Sequence, residues 1–112
     1  MSITPTIAAG IQDPLVHDVA RTIADGLKPD RILLFGSRAH GTAQPDSDID
    51  LLVLYSGPLS RREAQLAIRR LFPRPTFSMD VFVMSPDDWE RQKPIANTLA
   101  REVAETGVVC YG

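Results

Sequence analysis

The sequence predicts a small α/β domain, equally describable as α+β, with a small mixed β-sheet flanked by helices. Three observations point to it. Short, largely apolar runs such as RILLF, DLLVLY and DVFVM have the length and composition of buried strands. Stretches with apolar residues at helical spacing alternate with them, and Gly, Pro and Ser clusters mark the boundaries.

The elements follow in order. Asp13-Pro14 reads as an N-cap followed by proline at the first helical position, and Leu15, Val19, Ile23 and Leu27 recur every fourth residue, so a helix is expected over Pro14 to Leu27. Lys28-Pro29-Asp30 breaks it before a buried strand from Arg31 to Phe35. Gly36-Ser37 ends that strand and leads into a short helix or turn, then a polar loop over Gly41 to Ser47. Asp48 to Tyr55 reads as a central strand, apolar on both faces after its opening aspartates. An amphipathic helix is expected over Leu59 to Phe72, stopped by Pro73 and Pro75, with Ala64, Ala67 or Ile68, and Leu71 facing the core. Phe77 to Met84 is the third strand, and Ser85-Pro86-Asp87-Asp88 opens another helix. A last helix is expected to carry Ile95, Leu99 and Val103 inward, with Gly107 capping it before a strand from Val108 to Tyr111.

Composition narrows the function classes. At 112 residues the chain is expected to form one domain over 1–112, with residues 1–12 as a flexible N-terminus. It is thin for an enzyme that must also hold a large acceptor, so a partner and a hetero-oligomer are expected. A formal charge of −2 gives no general attraction for nucleic acid or an anionic membrane, and neither is expected as a partner. The charge is locally uneven: Arg61, Arg62, Arg69, Arg70 and Arg74 crowd one segment, a solvated helix face or a surface for phosphates or an acidic protein. Cys110 is the only cysteine, so no internal disulfide forms, and a reducing compartment fits. No stretch approaches the roughly 20 apolar residues that span a bilayer, and a cytoplasmic location is expected.

The chemistry concentrates between Phe35 and Tyr55. Alternation along a strand puts Asp48 and Asp50 on one face, two carboxylates that repel unless something positive lies between them. Asp80, among apolar residues in the next strand, joins them if the two strands are neighbours. Hard divalent cations such as Mg²⁺ favour this donor type and complete their shell with water and substrate phosphate. Gly36 lets the backbone approach a ligand closely, Ser37 adds a hydroxyl, and Arg38 adds charge. Gly36, Ser37, Arg38 and Ser47 are the candidate nucleotide-binding residues. Asp48, Asp50 and Asp80 are the candidate catalytic and metal-binding ones. The GSRAHGT stretch imitates the glycine spacing of a P-loop but has no lysine after Gly41, which excludes a Walker-type site.

Gly36-Ser37, Asp48-Ile49-Asp50 and Asp80 together resemble the motif of the minimal nucleotidyltransferases of the DNA polymerase β superfamily, from RILLFGSRAHG through SDIDLLVL and MDVFV to the closing EVAETGVVCYG. The resemblance implies the polymerase β-like fold, with Asp48 and Asp50 holding two Mg²⁺ ions on the triphosphate of ATP. It further implies that Asp80 joins the metal near the attacking hydroxyl, and that Gly36 and Ser37 grip phosphates. Many such small proteins are antitoxins paired with a HEPN-domain ribonuclease toxin. The implied activity is therefore AMP transfer to a tyrosine of that partner. His40, where relatives often have arginine, departs from the pattern. The alternatives are a module that neutralises its partner by binding alone, and transfer to a small molecule.

Overall fold

The computed structural model describes residues 13–40 and 47–112. The expected flexible segment 1–12 and positions 41–46 of the expected polar loop lie outside the described residues. The first helix, α1, spans Pro14–Leu27. Asp13 caps it: Oδ1 accepts from the Leu15 N–H at 3.0 Å and the Val16 N–H at 3.5 Å, satisfying donors that no helical turn can reach. Lys28, in the left-handed conformation, ends it. Strand β1 follows at Arg31–Phe35, then the single turn α2 at Ser37–His40, then β2 at Ile49–Leu54.

Helix α3 covers Arg61–Arg70, shorter than the expected Leu59 to Phe72. Its start is set by a capping box. Ser60 Oγ accepts from the Glu63 N–H, and Glu63 Oε1 accepts from the Ser60 N–H. Strand β3 runs Met79–Met84, α4 Pro86–Gln92 from the N-cap Ser85, α5 Leu99–Thr106 from the N-cap Thr98, and β4 Val108–Tyr111. The expectation that the last helix carries Ile95 inward is corrected: Ile95 is 50% exposed in the turn between α4 and α5. Pro94 and the positive φ of Asn97 break the helical path there, and Thr98 restarts it. Gly107 ends α5 at φ −78, where a side chain would meet the Val103 carbonyl oxygen at 2.5 Å.

The strands form one mixed sheet in the order β3-β2-β1-β4. β1 is antiparallel to both β2 and β4, whereas β2 and β3 are parallel and joined across α3. Alternation sends successive residues to opposite faces, so the sheet has two cores. Ile32, Leu34, Ile49, Leu51 and Val53 pack under α1 and α3 with Val19, Ile23 and Ile68. Leu33, Phe35, Leu52 and Leu54 pack with Trp89 of α4 and with Ala100 and Val103 of α5. Each fully buried aliphatic side chain contributes on the order of 1.5–3 kcal/mol relative to exposure. The second core is the smaller one, and the sheet face above Phe35 toward the start of β2 carries carboxylates instead. Among the described residues no helix is long and apolar enough to cross a membrane.

Candidate active site

The site is built where β1 ends and β2 and β3 begin. Because β1 and β2 are antiparallel, Phe35 is the partner of Asp50. Because β2 and β3 are parallel and in register, Asp50 is also the partner of Asp80. Registered neighbours point to the same face, and Asp48, just before β2, is close enough for its charge to act on Asp50. The condition set by the sequence, that these two strands be neighbours, is met, and the three aspartates gather at one end of the sheet.

Asp50 is the inner member of the group, half-buried on a central strand. Burial first, then the negative charges of Asp80, Asp48 and Glu102, push its carboxyl above the usual aspartate value. Glu102, on α5, is a fourth carboxylate that sequence reasoning missed. Nothing local marks it, because only the packing of α5 on the sheet brings it near. Asp48 lies just before β2 and is exposed. Asp80, expected inside a largely buried strand, is exposed instead, because β3 is an edge strand with a neighbour on one side only. Two residues along the same face, Phe82 is 43% exposed and its ring lies 6.0 Å from that of Phe35.

Gly36 adopts φ +76, a conformation that side chains disfavour, and a methyl group there would lie 2.3 Å from Asp50 Oδ2. Glycine is thus required twice, for its backbone and for the space that the Asp50 carboxylate occupies. Ser37 opens α2 next to it, and the Ala39 N–H closes the turn on the Gly36 carbonyl at 3.1 Å. Arg38 has a different setting from the rest. Its guanidinium donates from Nε and Nη2 to the Ser47 carbonyl and from Nη1 to Asp13 Oδ2. His40 is exposed at the end of α2.

A divalent cation suits this donor set. Carboxylates supply hard oxygens, and a cation between them offsets both the burial that chiefly raises the Asp50 pKa and the repulsion that adds to it. Asp48, Asp50 and Asp80 are the residues that would hold it. Among the described residues no three acidic, His or Cys side chains already converge on one ion position. Water and substrate phosphate complete the shell of a Mg²⁺ ion held by so few protein carboxylates.

Surface hollows help to locate the approach of ligands. A cleft of about 470 Å³ follows the outer edge of β3, lined by Gln65, Arg69, Asp80, Val81 and Phe82 among others. A larger one, about 910 Å³, lies at the opposite end of β2 and β3 beside Tyr55 and Met84 and contains none of the candidate residues. The first hollow reaches Asp80, and a third, of about 460 Å³, is lined by Arg38 and Ser47 among others.

The four-stranded mixed sheet flanked by helices is that of the nucleotidyltransferase fold. The sequence profile of the nucleotidyltransferase domain family matches residues 19–109, and the chain belongs to that family. Two solved structures share the fold. One is a candidate nucleotidyltransferase from Sulfolobus solfataricus, 20% identical, with a TM-score of 0.56 over 85% of this chain and 75% of that one. The other is a chain of a toxin-antitoxin complex with AMP-PNP, 23% identical, with a TM-score of 0.56 over 86% of this chain and 73% of that one. No curated protein matches the sequence significantly.

Proposed function

We propose that the protein is a Mg²⁺-dependent antitoxin that transfers AMP from ATP to a tyrosine of a HEPN-family toxin in the cytoplasm, silencing it. The observation that carries the transferase reading is the placement of Asp50, paired with Asp80 across β2 and β3 while its carboxylate lies against Gly36. The toxin-antitoxin neighbour with a bound nucleotide analogue supports both the protein partner and the adenine nucleotide. The HEPN identity of the partner rests on the family resemblance.

In this reading an acceptor hydroxyl oxygen attacks the α-phosphorus, the bond to the bridging oxygen breaks, and pyrophosphate leaves. When bound, two Mg²⁺ ions supply charge stabilisation of the attacking and leaving oxygens. Asp48 and Asp50 would hold them, joined by Asp80 on the side of the attacking hydroxyl. Asp80, exposed at the sheet edge where an acceptor can reach it, receives the hydroxyl proton at a carboxylate oxygen. Gly36 admits the phosphates close to the backbone, and the Ser37 hydroxyl donates to a phosphate oxygen.

A second reading is neutralisation by binding alone. Arg61, Arg62, Arg69 and Arg70 are all exposed on α3 and form no ion pair among the described residues, which favours an acidic partner surface. Transfer of label from α-labelled ATP to the co-purified partner, wild type against Asp48→Asn plus Asp50→Asn, decides between them. Label on the partner with wild type alone supports the transferase. A stable complex with no label from either protein sinks it and leaves binding as the function.

A further inference from the structure

We propose that Arg38 is a positioning residue that fixes the direction of Asp48 by clamping the Ser47 carbonyl to the N-cap of α1. The guanidinium is buried, with its side chain only 6% exposed. Nε and Nη2 both donate to Ser47 O, at 3.0 and 2.9 Å, and Nη1 donates to Asp13 Oδ2 at 2.5 Å. The other oxygen of Asp13 is the cap of α1. One side chain thereby joins the start of α1, the turn after β1 and the residue that precedes Asp48.

The effect on Asp48 follows from peptide geometry. The Ser47 C=O and the Asp48 N–H share one plane, so an oxygen held by two donors of a rigid fork fixes the plane from which the Asp48 Cα emerges. Sheet pairing does not do this. β2 begins at Ile49, whose N–H bonds the Ser78 carbonyl at 2.9 Å, and Asp48 stands outside the ladder. The clamp takes over where the ladder stops. It also sets Arg38 apart from the phosphate contact that its position beside Gly36-Ser37 suggests, because its charge faces the Asp13 carboxylate. What Asp48 is positioned for rests on the transferase reading; that it is positioned does not.

Arg38→Lys keeps the charge and removes the fork. Two readouts on the nucleotide-free chain test the clamp: amide hydrogen exchange, and Mn²⁺ affinity followed by electron paramagnetic resonance. The expected result is faster exchange across residues 47–51 with β1 and β4 unchanged, and Mn²⁺ binding weakened about 10- to 100-fold, the usual effect of losing a residue that orients a metal ligand. In turnover, kcat falls while the KM for ATP changes little. A phosphate ligand would give the reverse: wild-type exchange and Mn²⁺ affinity with a raised KM, which overturns the proposal. If Arg38→Lys fails to fold, Asp13→Asn provides the test, since asparagine still caps α1 but no longer opposes the guanidinium charge. Wild-type exchange over 47–51 in that folded variant likewise overturns it. The exchange measurement needs no activity, so it separates failure of the clamp from failure of the transferase reading.

Discussion

The Asp50 carboxylate rests against the α-carbon of Gly36, so closely that a methyl group there would lie 2.3 Å from Oδ2. The glycine of the turn and the second aspartate of the pair are therefore one structural unit, although a whole loop separates them in the chain.

Replacing Gly36 with Ala should cost about 1–2 kcal/mol from the left-handed backbone alone and displace the Asp50 carboxylate as well. Transfer activity should fall by about 10²–10³, the range seen when a preorganised group is moved off its target. Asp50→Ala in the same chain should recover part of the stability and none of the activity, because the Asp50 Cβ lies at an ordinary 3.5 Å. Thermal melts of the two single variants and the double variant measure the coupling. Additive losses would show that the two residues do not press on each other.

The raised Asp50 pKa fixes the sign of a pH effect. The fold favours the protonated carboxyl, so its contribution to stability is full below the unfolded value of 3.8 and is lost as pH rises through the higher folded value. In chelator, Asp50→Asn should melt above wild type at neutral pH, with the gap closing on acidification. Adding Mg²⁺ should raise the melting temperature of wild type and leave that of Asp50→Asn nearly unchanged. Equal melting of both proteins across the pH range would count against the repulsion.

Ser60→Ala removes the side-chain half of the α3 capping box, leaving the backbone N–H of residue 60 on Glu63 Oε1, and should cost about 1 kcal/mol. Its hydrogen bonds, first from the Ser60 backbone and then from its side chain, hold the Glu63 carboxyl below its ordinary value. The box therefore stabilises above the unfolded Glu pKa and fades as pH falls through the lower folded one. Because the larger, backbone contribution survives in Ser60→Ala, the wild-type advantage should shrink only slightly in acid, while nucleotide transfer at neutral pH stays at the wild-type level.

Cys110 is fully buried, and burial pushes its thiol up to about 11. A thiol reagent at mildly alkaline pH should leave the native protein unmodified and titrate one thiol once denaturant unfolds it. Fast labelling of the native chain would place the thiol elsewhere.

Much of this was legible in the sequence because it is local. Asp13-Pro14 fixes the start of α1, and the run expected as a strand from Asp48 to Tyr55 holds the central strand β2, which is shorter, at Ile49–Leu54, with Asp48 just before it. The rest depends on neighbours distant in the chain. Asp80 reads as buried because Met79 and Val81 flank it, and only the order of strands shows that it lies on an edge. Phe77 looks like part of β3, but its ring packs edge-on against Phe72 and the strand starts at Met79. The joining of Arg38 to Asp13 and Ser47 has no periodic signature, and neither does the approach of Glu102 to Asp50.

The parallel pairing of β2 with β3 also orders events in time. Gly36 and Asp50 meet through the neighbouring antiparallel strands β1 and β2, whereas Asp80 arrives only after the chain has passed through α3 and returned alongside β2. Closing that longer loop is entropically slower, so the third carboxylate joins last during folding. With one strand neighbour, as β4 also has, β3 can detach while the β1-β2 pair stays closed. Loss of the catalytic arrangement should thus precede loss of the sheet, making turnover the earliest reporter of a partly opened molecule.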